Sequence, residues 1–494
     1  MNVILLEHPR SYSNDRCNDI ANAPLSACLN SGYIGGMLAA NNIDVTIVDG
    51  YLEQLNYSDI EEQIAALTPT ILGIHLVYHW EDNKTFYQFI EHVKQTYDIA
   101  YVCVYGFYPT FAYEEILNRC PAIDGALLGE AELTFLKLAE NFPTIPSAGI
   151  AVRTTNGIVA TRGEVIIDVD SLPFPQRNPS SYSFGEVNIS GSRGCYGGCT
   201  FCYINPYYGD SKRLWRGRSP ENIIAEIDAV MQETDIRYFY FTDPNFYGPG
   251  RAGKERVLKL ARLLKERHLH FGIEARANDI EAETIKALTG AGLKHILIGL
   301  ESGRDEALKR LNKLTTVADN EKALQILRQY GLEPSVGFIM FEPDSTLEDL
   351  KVNFDFLKRN ALLDKLEISV NVLYHHMIIL QGSSSYKALQ EQGRLNISVH
   401  STYEADTDYR SPQVAMLAGM MRDMTNHIFS YMKDTWELSF KKDPIMLEKY
   451  RLLNQLLVQS FEDFLCLMKN GELSIDQRNS YVDSFHHTVD GIMV

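Results

Sequence analysis

Cys195, Cys199 and Cys202 stand in the run Gly194-Cys195-Tyr196-Gly197-Gly198-Cys199-Thr200-Phe201-Cys202, a C-x3-C-x2-C spacing that supplies three thiolates and withholds a fourth. A structural zinc takes four ligands in a closed tetrahedron, and an iron–sulfur cluster used only for electron transfer also usually takes four cysteines. Three thiolates therefore point to an open iron site. Glycines at 191, 194, 197 and 198 let the backbone wrap closely round a bulky inorganic core.

Such a loop needs a rigid frame, and the chain offers an α/β one. Short β-branched runs at residues 3–6, 45–48, 71–77 and 99–104 alternate with helical segments such as 60–67 and 85–97. This is the pattern of a doubly wound, Rossmann-like parallel sheet buried on both faces. Ligands of such sheets bind at the carboxyl ends of the strands, here Asp49-Gly50, Tyr78-His79, residues 105–111 and Gly129-Glu130. A hairpin is expected at 149–158 with its turn at Asn156-Gly157, followed at 168–179 by a linker whose prolines at 173, 175 and 179 deny it regular structure. Strands are then read at 187–190, 238–242, 271–276, 295–301, 335–341 and 366–373, with helices between them. Six such units make a partial (β/α)6 barrel of the TIM type with functional groups on the loops after its strands. Ser219 as N-cap, Pro220 in the first turn and Glu221 near the positive helix end mark the start of the first barrel helix. Beyond about residue 411 apolar residues recur at helical spacing (Met416, Met420, Met421, Met424, then Leu452, Leu456, Leu457, Phe461), which reads as a helical C-terminal domain with methionine in its core. The units are then 1–145, the hairpin and linker 146–183, the barrel 184–395 and the helical region 396–494.

The 494-residue length calls for two or three cores, and 45% hydrophobic with 22% charged residues is an ordinary globular balance. A net charge of −18 argues against a nucleic-acid backbone or an anionic membrane as main partner, which leaves a small molecule. No apolar run reaches the roughly 20 residues of a membrane span, and the N-terminus lacks a signal-like pattern, so a cytoplasmic location is expected. Cys17, Cys28, Cys103, Cys120 and Cys466 show no disulfide-like spacing and read as small buried apolar residues.

The cysteine spacing, with Phe201 just before the third cysteine, resembles the signature of the radical SAM superfamily, in which the open iron of a 4Fe-4S cluster chelates S-adenosylmethionine (SAM). The linker, the cysteine loop and the following barrel together resemble the cobalamin-dependent branch, class B. Tyr105-Gly106-Phe107-Tyr108-Pro109-Thr110-Phe111 is similar to that branch's Gly-Gly-x-His-Pro-Thr-Phe segment, and Gly129-Glu130-Ala131-Glu132 to its Gly-Glu-Gly-Glu turn. Trp215-Arg216 with Arg218-Ser219-Pro220-Glu221, Asp243-Pro244-Asn245-Phe246, Glu274-Ala275-Arg276 and Gly299-Leu300-Glu301-Ser302-Gly303 continue the likeness through the barrel. The chain departs from the pattern in having no Asp-x-His-x-x-Gly and in placing Tyr108 where the segment has histidine. No histidine ligand to cobalt is expected, with Tyr108 or an apolar residue against the lower face.

The resemblance implies cobalamin contacts at Tyr105, Gly106, Phe107, Tyr108, Pro109, Thr110, Gly129 and Glu130, and SAM contacts at Phe201, Asp243, Asn245, Glu274, Arg276, Gly299, Glu301 and Ser302. Arg276 can pair with the SAM carboxylate in a fork, and Glu301 with Ser302 can hydrogen-bond the ribose or amino group. Glu274 and Arg276, two apart on one strand, could instead form a barrel ion pair, and Asp243 and Asn245 could cap loops. Phe338, Tyr374, His375 and His376 are candidates for the substrate cavity, the histidines as base or polar anchor. The stretch 381–384 reads as a loop closing the barrel. The implied activity is methylation of an unactivated, sp3 carbon of a small natural-product-type substrate. One SAM methylates cob(I)alamin and a second gives the 5'-deoxyadenosyl radical, so that the substrate radical takes its methyl group from methylcobalamin, with flavodoxin or ferredoxin as electron donor. The alternatives are a radical rearrangement, cyclisation or oxidation without methyl transfer, methylation of phosphorus or an sp2 carbon, and a non-catalytic cobalamin or SAM sensor. An open iron site argues against the sensor.

Overall fold

The computed structural model describes residues 1–9, 29–76, 84–183, 185–209, 214–397, 401–432, 443–471, 473 and 475–494. Cys17, Cys28, Val77 and Tyr78-His79 lie outside them. The first sheet contains β1 (Asn2–Glu7), β2 (Asp44–Asp49), β3 (Ile71–His75), β4 (Tyr101–Tyr105), β5 (Gly125–Leu127), β6 (Ile150–Thr154) and β7 (Gly157–Thr161), in the order β2-β1-β3-β4-β5-β6-β7. β1 to β5 are parallel, and α1 (Leu29–Ala40), α2 (Tyr57–Leu67), α3 (Lys84–Thr96), α4 (Phe107–Arg119) and α5 (Glu132–Asn141) cover both faces. Three-residue β5, Gly-Ala-Leu, is too short to show a pattern in the sequence. The hairpin's turn falls on Thr155-Asn156, one residue earlier than expected, because Thr154 pairs with Gly157. β6 also pairs antiparallel with β5, so the hairpin extends the first sheet instead of standing apart from it.

The proline-rich linker is docked, not loose. It lies against the small-residue face of α1, where the Gln176 amide donates to the Gly32 carbonyl (2.8 Å) and a side chain at Gly36 would collide with the Phe174 carbonyl.

The second sheet holds β8 (Glu186–Ile189), β11 (Tyr238–Phe241), β12 (His270–Arg276), β13 (Leu293–Glu301) and β14 (Ser335–Phe338), parallel and in the order β14-β13-β12-β11-β8. Between its first two strands, β9 (Ser192–Gly194) and β10 (Trp215–Gly217) form an antiparallel ribbon around the cysteine loop and short α6 (Ile204–Tyr208). The helices α7 (Pro220–Glu233), α8 (Gly250–Lys265), α9 (Ala282–Ala291), α10 (Asp305–Arg310), α11 (Val317–Gln329) and α12 (Leu347–Arg359) follow. α7 starts as the sequence predicts, with the Ser219 side chain accepting from the Asn222 amide.

The expected sixth strand at 366–373 is a helix, α13 (Leu366–Val372). Its β-branched residues suit a strand, but Leu366, Ser369, Val370 and Leu373 also form a helical stripe, and that stripe is buried in the core shared with the C-terminal helices. Tertiary packing overrides the local preference. Among the described residues a single parallel bridge between Phe341 and His376 is all that stands at the sixth position.

A small antiparallel sheet, β15 (Ile379–Leu380), β16 (Leu395–Ile397) and β17 (Glu404–Thr407), encloses α14 (Ser384–Glu391) and was not legible in the sequence. The loop at 381–384 supplies Ser383, the N-cap of α14. α15 (Pro412–Met432), α16 (Pro444–Lys469) and α17 (Ile475–Met493) complete the chain. Met420, Met421 and Met424 are fully buried in one core continuous with the barrel's outer layer, with Phe461 near both Phe341 and Phe354. Leu452 and Cys466, expected inside, are exposed, while Cys103 and Cys120 are buried. Among the described residues no helix is long and apolar enough to cross a membrane.

Candidate active site

Side chains alternate along the barrel strands in a way that leaves the lumen open. Phe239, Phe241, Ile273, Ile296 and Ile298 are fully buried against the helices, whereas Tyr240, Glu274, His295, Leu297 and Gly299, at the alternate positions, stay partly accessible. A complete eight-stranded barrel fills this space with branched apolar residues. Here it is lined by polar groups and glycine.

At the carboxyl end of the strands the cysteine loop is held by its own backbone and by its neighbours. The Cys195 amide donates to Asn205 Oδ1 (3.2 Å), Asn205 Nδ2 donates to the Gly197 carbonyl (2.5 Å) and the Gly197 amide points at Cys195 Sγ (3.3 Å). From across the barrel Asn312 Nδ2 donates to the Gly198 carbonyl (2.6 Å) and the Thr200 amide to the Leu311 carbonyl (3.0 Å). Arg276 sends Nη1 to Cys199 Sγ (3.5 Å), Nε to Asn278 Oδ1 (3.3 Å) and Nη2 to the Lys313 carbonyl, and lies over the Tyr196 ring. A side chain at Gly197 would collide with that guanidinium. Burial pushes the Cys202 thiol up to about 12, with Cys199 and Cys195 adding to the rise and Lys313 opposing it. The Cys202 thiol therefore holds its proton, and bound iron would reverse that balance. Among the described residues no three His, Cys, Asp or Glu side chains close round a single ion. The donor set fits a cluster larger than one metal ion with one position open.

Beside this loop Glu301 Oε1 accepts from Lys313 Nζ (2.7 Å), both side chains nearly buried. Glu301 has a left-handed backbone (φ 62°), and a Cβ on Gly299 would lie 2.5 Å from its Oε1 and 2.7 Å from Lys313 Nζ. Gly299 thus makes room for the pair instead of touching a ligand through a side chain. Lys313 has no motif around it in the sequence and becomes visible only when α10 brings its loop back over β13. Ser302 donates from Oγ to Asn353 Oδ1 (2.7 Å) and accepts from the Arg304 amide, which ties down the loop after β13. Asp243 Oδ2 takes the Gly191 amide (3.0 Å), and Asn245 caps its own loop through the Tyr247 amide while bonding Asp279. Phe201 packs against Leu311, Ile339 and Met377.

No ion pair joins Glu274 to Arg276. Among the described residues the Glu274 side chain accepts a hydrogen bond only from the Tyr240 hydroxyl (3.3 Å), and burial pushes its carboxyl up to about 7, the Tyr240 bond opposing and Asp243 assisting. The folded protein therefore holds this proton more tightly than the unfolded chain does. Stability from this group is greatest below the ordinary glutamate range and falls as pH rises towards 7. Glu274→Gln should flatten the decline of the thermal midpoint between about pH 5 and pH 8 by the equivalent of about 1–3 kcal/mol. An unchanged slope would assign the titration elsewhere.

Among the cavity candidates, His375 lies within electrostatic reach of Glu301. Burial lowers the affinity of its imidazole for a proton and the Glu301 charge partly offsets this. His376 sits edge-on to Tyr374. Phe338 turns away from the lumen, stacked on Phe356 in the outer core.

At the carboxyl edge of the first sheet, Tyr105 shares a 2.7 Å hydrogen bond with Ser31, Ser31 donates to Glu7, and His75 is held between Glu7 (2.9 Å) and Asn30 (3.2 Å). Thr110 accepts from the Gly129 amide (3.0 Å) and donates to the Gly106 carbonyl (2.7 Å), and so pins two positive-φ turns together. Pro109 is buried in the first turn of α4. A small cavity beside this edge is lined by Asn30, Tyr105, Glu132, Arg193 and Tyr208, and Glu132 Oε2 is buried there with no hydrogen-bond partner. Such an orphan acceptor, next to glycine turns, fits an amide-fringed cofactor. The topological switch point falls between β1 and β3, and the segments that follow those strands lie outside the described residues.

Two expectations for this edge change. Tyr108 is 1% exposed, donates to Glu115 (2.8 Å) and packs on Tyr403, so its ring is taken up by the core. Glu130 binds the barrel and the linker: it accepts from Arg193 (2.7 Å) and Arg216 (2.8 Å) of the barrel and from the Ile166 amide (3.1 Å) of the linker.

Residues 189–357 match the radical SAM superfamily and residues 29–139 the B12 binding domain. The chain therefore carries a radical SAM domain, which implies a 4Fe-4S cluster and SAM, and a B12 binding domain, which implies cobalamin. It is similar to an uncharacterized methyltransferase of Pyrococcus horikoshii (27% identical, covering 73% of this chain and 78% of that protein). It is also similar to the anaerobic magnesium-protoporphyrin IX monomethyl ester cyclase of Rubrivivax gelatinosus (26%, covering 65% of this chain and only 60% of the cyclase). Its fold is like that of the cobalamin-dependent SAM radical enzyme OxsB with aqua-cobalamin and SAM bound (TM-score 0.77, 20% identity, 100% of this chain and 78% of the other).

Proposed function

We propose that the enzyme is a methyltransferase that acts on an unactivated, sp3 carbon of a small natural-product-type molecule. The observation that carries this reading is the direct contact of the two cofactor regions: Phe107, at the edge of the first sheet, lies against Tyr203, the residue after Cys202 (ring centroids 4.8 Å apart). The likeness to a protein named as a methyltransferase supports it. When bound, the cluster, SAM and cobalamin supply a carbon-centred radical and a transferable methyl group. The chain holds and shields them. Cys195, Cys199 and Cys202 hold the cluster, Arg276 keeps its loop in place, and Glu301 with Lys313 offers opposite charges to the amino-acid end of SAM. Tyr105, Gly106, Thr110, Gly129 and Glu132 would form the cobalamin edge, where His75 has both ring nitrogens engaged by Glu7 and Asn30. The open lumen receives the substrate, His375 at its mouth. A cytoplasmic flavodoxin or ferredoxin supplies electrons.

Similarity to a protein named as a cyclase favours a second reading, cyclisation or rearrangement without methyl transfer. Anaerobic protein from cobalamin-fed cells, reduced and given SAM with candidate substrates, separates the two. Both S-adenosylhomocysteine and 5'-deoxyadenosine are expected in step with a methylated product. Substrate-dependent 5'-deoxyadenosine without S-adenosylhomocysteine would favour the second reading.

A further inference from the structure

The cysteine loop is gripped on both flanks by the N-terminal domain. Two residues before Cys195, Arg193 on β9 reaches into the β5–α5 turn, with Nη1 on Glu130 (2.7 Å) and Nη2 on Glu132 (2.5 Å). Arg216, paired with Arg193 across the β9–β10 ribbon, binds the other oxygen of Glu130 (2.8 Å). All four side chains are less than a tenth exposed. One residue after Cys202, Tyr203 meets the ring of Phe107, and Tyr207 lies against the same ring at 4.3 Å. The two segments that grip the loop, Gly106-Phe107 and Glu130 to Glu132, are the segments whose sequence suggested cobalamin contacts.

A buried ion network of this kind adds little net stability over apolar residues of the same size, because desolvation offsets the attraction. What it does well is fix geometry: a forked guanidinium between two carboxylates tolerates one arrangement, and a lysine cannot reproduce it. We propose that Arg193 is a positioning residue which, clamped by Glu130 and Glu132, sets the distance and orientation of the iron–sulfur cluster relative to the cobalamin held by the first domain. Reactions in which two cofactors act on one substrate depend on such spacing, and a displacement near 1 Å costs on the order of a hundredfold in rate. The inference rests on the chain's holding both cofactors and not on methyl transfer, so it stands or falls separately from the proposed reaction.

The test uses the full chain, purified anaerobically with cluster and cobalamin loaded and reduced until cluster and cobalt(II) are both paramagnetic. Pulsed dipolar EPR then reads the distribution of distances between them. Arg193→Lys retains the charge but breaks the fork. Iron and cobalt contents should match the parent while the distance distribution broadens or shifts by about 1 Å or more, with roughly tenfold or greater loss of turnover. An unchanged distribution at full iron and cobalt would overturn the proposal, whatever the turnover, since a merely structural arginine would alter stability and not the spacing. Should Arg193→Lys fail to load its cofactors, Glu132→Gln serves instead, because it weakens one arm and leaves both Glu130 bonds in place. A distribution identical to the parent's in that variant would equally sink the idea.

Discussion

Cys199→Ala should bring reductive cleavage of SAM down to background, a fall of roughly three orders of magnitude or more, while cobalamin is still retained. Two thiolates cannot hold a cluster meant for three, and the substitution also takes from Arg276 the sulfur that its Nη1 faces at 3.5 Å. Iron and 5'-deoxyadenosine should be lost together. Cobalt should remain, because the polar edge built from Glu7, Ser31, His75 and Tyr105 lies in the first domain and does not involve the cysteine loop. Measuring iron, cobalt and 5'-deoxyadenosine on one anaerobic preparation checks all three statements. A variant that kept SAM cleavage would remove the cluster assignment. A parent protein with cobalamin but no SAM cleavage would revive the reading of a ligand sensor.

The second large effect is expected at Lys313. Lys313→Met leaves the Glu301 carboxylate nearly buried beside the cysteine loop without its cation, a situation that costs about 3–5 kcal/mol. The holoenzyme's thermal midpoint should drop, and SAM affinity should fall with it. Glu301 also carries a left-handed backbone that only its surroundings sustain, with Gly299 beneath the pair. The double variant Lys313→Met, Glu301→Gln separates the two consequences. Removing both charges should restore most of the lost stability but none of the SAM affinity, as read by equilibrium dialysis and by the effect of SAM on the EPR spectrum of the reduced cluster. Recovery of SAM binding in the double variant would show that the pair acts only as a structural brace.

The sequence stated some parts of this molecule plainly because their cause is local. Cys195, Cys199 and Cys202 sit within eight residues, so their spacing alone carries the cluster chemistry. Apart from three-residue β5, the strands of the two parallel sheets down to β14 were legible from short β-branched and aromatic runs, and Ser219-Pro220 marked the start of α7, because caps and strand propensities act within a few residues. The family likeness was legible for the same reason: its motifs are contiguous.

Other features were decided only by packing. Leu366-Glu367-Ile368-Ser369-Val370 suits strand or helix locally, and the apolar face of the C-terminal helices makes it α13. Tyr108 stands in a motif that suggested a cofactor contact, yet its ring finds Tyr403, nearly three hundred residues further on, and turns inward. Glu130 lies in another such motif and is claimed by Arg193 and Arg216 of the barrel. Lys313 meets Glu301 only after a helix has turned back on its strand. By itself the sequence determined which cofactors are held and on what kind of fold, since these follow from neighbouring residues. Which side chains face those cofactors and which spend their charge on joining the two domains was decided by the tertiary structure, because a buried charge must find its partner wherever the folded chain brings one near.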